Sequence, residues 1–80
     1  LNIFPNPVSE IATIQLPDEA GNGFAKVEVF NILGKLCNGM ETNVNADRIV
    51  KFDVSDLQQG VYVVKVFCNE KVYAQRIVVE

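Results

Sequence analysis

The stretch Asp53-Val54-Ser55-Asp56-Leu57-Gln58-Gln59-Gly60-Val61-Tyr62-Val63-Val64-Lys65-Val66 joins a short polar connection to a valine-rich run with a tyrosine at its entry. Ser55 suits a helix N-cap, and Gln58 stands three residues on, where a capping box places Glu or Gln. Asp56 would sit in the first turn, favoured by the helix dipole, and Gly60 can take the left-handed conformation that ends a helix. The spacing therefore predicts about one turn of helix, with Leu57 as the one apolar residue free to point inward. Tyr62 then opens a strand. A tyrosine in that position, bonding its hydroxyl back to the connection it has just left, locks a corner in many immunoglobulin-like sandwiches.

Outward from the corner, the rest of the chain alternates at the period of a half-buried strand. Tyr62, Val64, Val66 and Cys68 share one face against Lys65, and Val61, Val63 and Phe67 make the other face apolar too. Asn69-Glu70 predicts a tight reversal into a last strand from Lys71 to Val79, with Tyr73, Ile77 and Val79 on one face and Arg76 on the other. Upstream, Val50, Phe52 and Val54 alternate, as do Ala25, Val27 and Val29, and Ala12, Ile14 and Leu16. Leu1 to Phe4 is a short first strand that Pro5 and Pro7 must end, since neither donates to a ladder; Asn6 between them makes a rigid turn. Pro17 to Gly23 and Asn43 to Asp47 are loops by composition. Asn31 to Gly34 supplies a turn, after which a strand from Lys35 either continues through Asn38-Gly39 by a bulge or reverses there. About seven short strands in one small domain read as an all-β, immunoglobulin-like antiparallel Greek-key sandwich.

The chain has 80 residues, 49% of them hydrophobic, a formal net charge of −3 and only seven basic residues. That balance argues against nucleic acid or an anionic membrane as partner. A domain of this size buries only about 60% of its unfolded surface, so every strand must serve one core. No apolar run approaches the length of about 18 residues that a spanning helix needs, so membrane insertion is not expected. The chain starts at Leu1 with no basic start and apolar run of a signal peptide, and is expected to be a fragment of a longer protein, with any export signal upstream of it.

Chemistry is sparse. There is no histidine to act as base near Ser9 or Ser55, and Cys37 and Cys68 are the only cysteines. Four protein ligands for zinc cannot be assembled from Cys and His, and no cofactor is expected. The two cysteines either pair or serve as small apolar strand residues. Asp53 and Asp56 sit too sparsely for the six or more oxygens of a calcium site; capping and solvation explain them. Gly21, Gly23 and Gly34 make no phosphate loop. Phe24, Phe30, Phe67 and Tyr73 would form a sugar platform only if several share an exposed face. The residues accordingly point away from an enzyme.

Pro5-Asn6-Pro7 after an apolar strand, Gly34-Lys35, Asp53-x-Ser55-x-Leu57-x-x-Gly60-x-Tyr62 and Arg76 in the last strand occur in an order and spacing that resembles the C-terminal sorting domain of the type IX secretion system of Gram-negative bacteria. The resemblance spans the whole chain. It implies that residues 1–80 are one sorting domain at the end of a larger secreted protein, with a cargo domain upstream. It also implies export through the periplasm and outer membrane to the cell surface or medium. The partners it implies are the outer-membrane translocon and a sortase-like peptidase that removes the domain. Most of the signature positions, Pro5, Asn6, Pro7, Gly34, Lys35, Asp53, Ser55, Leu57, Gly60, Tyr62 and Arg76, are expected to preserve the fold, with translocon contact on the terminal strands, for example by strand addition at a sheet edge. Two departures stand out: Arg76 is the only basic residue in the last nine, where relatives carry a lysine-rich end, and the cysteines lie outside the pattern. The alternative functions are an accessory carbohydrate- or protein-binding sandwich, or a spacer.

Overall fold

A computed structural model describes residues 1–21 and 23–80; Asn22, within the loop expected from Pro17 to Gly23, lies outside the described residues. The described residues form seven strands, β1 (Asn2–Phe4), β2 (Ile11–Gln15), β3 (Gly23–Asn31), β4 (Leu36–Val44), β5 (Ile49–Asp53), β6 (Gly60–Cys68) and β7 (Lys71–Val79). They form two antiparallel sheets, one in the order β1-β2-β5 and the other β4-β3-β6-β7. This is the expected immunoglobulin-like sandwich, with the fourth strand paired to the third and not to the fifth.

The alternations seen in the sequence become the core. Ala12, Ile14 and Leu16 of the smaller sheet meet Val27, Val29, Val64 and Val66 of the larger one, and all are at most 2% exposed. Val50, Phe52, Val54, Ile77 and Val79 complete the layer. Full burial of such a side chain is worth about 1.5–3 kcal/mol, so every inward position counts in a domain this small.

Four expectations are corrected. The turn of helix is absent: Val54 to Leu57 is a β-turn closed by one bond from Leu57 N to Val54 O, 3.0 Å, so Ser55 caps nothing and Gly60 is the first residue of β6 with no left-handed φ. The six residues from Val54 to Gln59 between two strands leave too little chain for a helical nucleus, and the strands' packing decides the path. Among the described residues the helical turn lies elsewhere, a 3-10 turn at Asp18–Ala20 whose Ala20 is fully buried. Secondly, of the two courses open at Asn38-Gly39, β4 takes continuation, and it runs nine residues to Val44, so that the expected Asn43 to Asp47 loop begins two residues late. Its irregularity sits earlier, where Val29 pairs with Asn38 and Phe30 with Leu36. Thirdly, Cys37, which falls in that slip, is exposed and not an apolar strand residue, whereas Cys68 is buried; both are free. Finally, the four aromatic residues do not form one platform: Tyr73 pairs with buried Val66 on the inner side, while Phe24, Phe30 and Phe67 lie on the outer face, with Phe30 and Phe67 only partly exposed. Phe24 and Phe30 stand six residues apart on β3, about 20 Å, too far for one sugar platform.

The Asn69-Glu70 reversal is as expected, with φ of 51° and 66° at its two residues, the mirror-image turn that suits strand twist.

Candidate functional site

Because each strand reverses the last, the first, third and fifth connections emerge at the same pole of the sandwich. Those three connections carry Pro5-Asn6-Pro7, Gly34-Lys35 and the Asp53 to Gly60 segment. Tyr62, at the start of β6, and Arg76, near the end of β7, lie beside them through the pairs Tyr62↔Ile77 and Val63↔Arg76. The structure thus brings every signature residue of the sequence to one end of a body 31 × 22 × 16 Å.

Three polar devices build this pole. In the first, Asn6 Oδ1 accepts from Val78 N at 2.9 Å, and Val8 follows in a parallel bridge, its N–H donating to Val78 O at 2.8 Å while Val8 O accepts from Glu80 N at 2.9 Å. The Pro-Asn-Pro turn is therefore a clip on the outer edge of β7, anchored by Val8, which is fully buried. In the second, Asn31 Oδ1 accepts from both Leu33 N (2.9 Å) and Lys35 N (3.0 Å), and Gly34 N bonds Asn31 O at 3.0 Å. Gly34 takes φ of 82°, a conformation other residues adopt at a cost. The outcome is a rigid loop whose apolar tip, Ile32 and Leu33, stands 76% and 87% exposed.

The third device is the corner. Asp53 Oδ1 accepts from Ser55 Oγ at 2.6 Å and from Ser55 N at 2.8 Å, so Ser55 acts as a donor to Asp53 and not as a cap. These two bonds, the hydroxyl first, hold the Asp53 carboxyl below its ordinary value of 3.8. Tyr62 is buried and its hydroxyl donates to Gln58 O at 2.6 Å, the corner lock expected from the sequence. Leu57 is half-buried and packs against the core.

Asn6 and Asn31 use their side chains as backbone surrogates, a role that sequence reading missed. The signal available was an Asn inside each turn, since Asn and Asp side chains mimic backbone acceptors.

The opposite pole is tied differently. Ala20 O accepts from Asn69 Nδ2 at 2.6 Å, Lys71 Nζ reaches Glu19 O at 2.8 Å, and Arg48 pairs with Asp18 at 3.4 Å. Burial of the Tyr73 hydroxyl, followed by Glu19 and Cys68, raises that phenol above its ordinary value. Among the described residues no group of three or more His, Cys, Asp or Glu side chains could hold a metal.

The fold and the pole together define a small all-β sandwich that gathers rigid turns and an exposed apolar tip at one end. Residues 2–80 match the family described as secretion system C-terminal sorting domain, and the chain belongs to that family, the type IX sorting domains. A protein carrying such a domain is exported from the cell to the surface or the extracellular space. The chain is also 32% identical over 80 residues to ulvan lyase NLR42 of Nonlabens ulvanivorans. The match covers 99% of this chain and 14% of that protein, so the chain spans about one-seventh of the relative's length. The family is a sorting signal and not a catalytic domain.

Proposed function

We propose that residues 1–80 form a non-catalytic label that directs a cargo domain in the same polypeptide through the outer-membrane type IX translocon. A sortase-like peptidase then removes the label, and the cargo is released or anchored at the surface. The observation that carries this reading is the match over residues 2–80, together with the gathering of the signature residues at one pole. Such a role asks for a folded shape that a receptor can read and asks for no proton transfer or nucleophile. A chain with no histidine, whose Asp53 and Ser55 are spent on each other, meets that requirement.

The test is to fuse residues 1–80 behind a reporter sent to the periplasm of a Gram-negative host with a type IX system. The reporter is expected outside the cell or on its surface, shorn of the domain. A periplasmic reporter with the domain intact and folded would overturn the reading.

A further inference from the structure

The outer face of the larger sheet is apolar at the signature pole. Leu36, Phe30, Val63 and Arg76 lie side by side across its four strands, since Phe30 pairs with Leu36 and Val63, and Val63 with Arg76. The Ile32-Leu33 tip extends this row beyond the end of the sheet, and Lys65 lies over the Phe30 ring at 5.2 Å from its centre. An open pocket between the tip and the sheet is lined by Phe30, Ile32, Val63 and Lys65. Leucine at 87% and isoleucine at 76% exposure on a loop fixed by four hydrogen bonds have no role in this domain's own core.

Beside the apolar row the charges are basic, Lys35, Lys65 and Arg76, while Lys26, Glu28 and the exposed carboxylate of Glu41, opposite Lys26, lie farther along the same face. Among the described residues the ion pairs are Lys26–Glu28, Arg48–Asp18 and Lys71–Glu19, which leaves Lys35, Lys65 and Arg76 on or beside this face, and Lys51 on the smaller sheet, without a carboxylate within 4.0 Å. Glu28 stands opposite Lys65 in register but is engaged by Lys26. In a chain of net charge −3, three unpaired cations bordering one apolar row are a local reversal of the overall balance. A partner that fits would present an apolar cleft for Leu33 and Ile32 with carboxylates on its rim.

We propose that this face, with the Ile32-Leu33 tip as its apolar anchor and Lys35, Lys65 and Arg76 as its charged rim, is the surface by which the domain docks on a protein of the export machinery that carries an acid-rimmed apolar cleft. The proposal rests on the sorting function above and assigns it a surface. It places recognition on side chains of β6, β7 and the β3–β4 turn. The free outer backbone of β7, where a partner strand would add, is a separate route: beyond the Asn6 and Val8 clip, Ala74 lies on that open edge.

The reporter fusion described above tests it with Leu33→Asp, Lys65→Glu and Arg76→Glu, each at an exposed side chain, and with Leu33→Ser and Arg76→Gln as milder forms. Each variant domain is melted separately, and only those retaining the parent's transition are scored. Phe24→Asp serves as control on the same outer face at the other pole, and Ala74→Pro blocks strand addition at the β7 edge. The fraction of reporter outside the cell is expected to fall about tenfold or more for the tip and rim variants, the scale of losing an anchor at an interface centre. It should stay within about twofold of the parent for Phe24→Asp and Ala74→Pro, which touch no such anchor. Folded tip and rim variants exported like the parent overturn the proposal while leaving the sorting function intact. So does a block by Ala74→Pro alone, which would assign docking to the edge. Sedimentation showing a dimer that Leu33→Asp dissociates would assign the face to a second copy and also overturn it. Retention of the unaltered fusion in the periplasm would defeat the sorting function itself.

Discussion

Asn6→Ala should cost the domain one hydrogen bond at a place where its sequence suggests only a turn. Asn6 Oδ1 accepts from the outward N–H of Val78, 72 residues away, at 2.9 Å. A net intramolecular hydrogen bond is worth about 0.5–1.5 kcal/mol, and here both partners are solvent-accessible, so water can replace the acceptor and the loss belongs in the lower half of that range. For a domain of this size each kcal/mol moves the melting temperature by about 4–8 °C. A loss of about 0.5–1 kcal/mol therefore lowers it by about 2–8 °C. Asn6→Asp retains an acceptor oxygen in the same position and should melt close to the parent at neutral pH, because a carboxylate accepts from a backbone N–H at least as well as an amide does. Thermal denaturation of the three proteins, with hydrogen exchange at the Val78 amide, decides the matter. Equal losses for Ala and Asp, or an unchanged Val78 exchange rate in the Ala variant, would refute the clip and return Asn6 to a purely local turn residue.

Tyr62→Phe removes the 2.6 Å bond to Gln58 O and should lower stability by about 1 kcal/mol, whereas Leu57→Ala should cost about 1–2 kcal/mol, below the usual range for core leucine, because Leu57 is half-buried; chemical denaturation gives both values. Gly34→Ala should cost about 1 kcal/mol through its φ of 82° alone, since a Cβ there meets nothing within 4 Å; a melting curve indistinguishable from the parent would show that the loop yields. Asp53, whose folded pKa is depressed, contributes stability that is present above its unfolded value of 3.8 and is lost as pH falls through the lower folded value. Stability curves from pH 6 to pH 2 should therefore run less steeply in Asp53→Asn than in the parent below about pH 4, and parallel curves would contradict the Ser55 bonds as the cause.

The strands were legible because nearly all of them alternate, and the corner because Tyr62 has few other reasons to stand at a strand entry. The pole was legible in principle as well: once seven antiparallel strands are counted, connections one, three and five must share an end. Side-chain acceptors escaped the reading. Nothing in Pro5-Asn6-Pro7 states that Asn6 reaches Val78, since that contact depends on how β7 lies against β1 across the two sheets. Ser55 misled because Ser-x-x-Gln favours a cap only where a helix follows, and the short span to Gly60 leaves the polar side chains to satisfy each other. Cys37 misled because a slip in strand pairing is decided by packing and has no marker in the local residues. The residues of the docking face were each visible as strand or turn positions. What the sequence did not disclose is that Phe30, Val63 and Arg76 line up across three strands, a fact of register alone.

The central claim is that these 80 residues are sufficient to send a cargo out of the cell. The most direct measurement is the fraction of a periplasm-targeted reporter found outside a type IX host when it ends in residues 1–80, set against the same reporter ending in an unrelated β-sandwich and against the same fusion in a host lacking the translocon. The account predicts export of the first alone. Equal export of both fusions, or export that persists without the translocon, would contradict it.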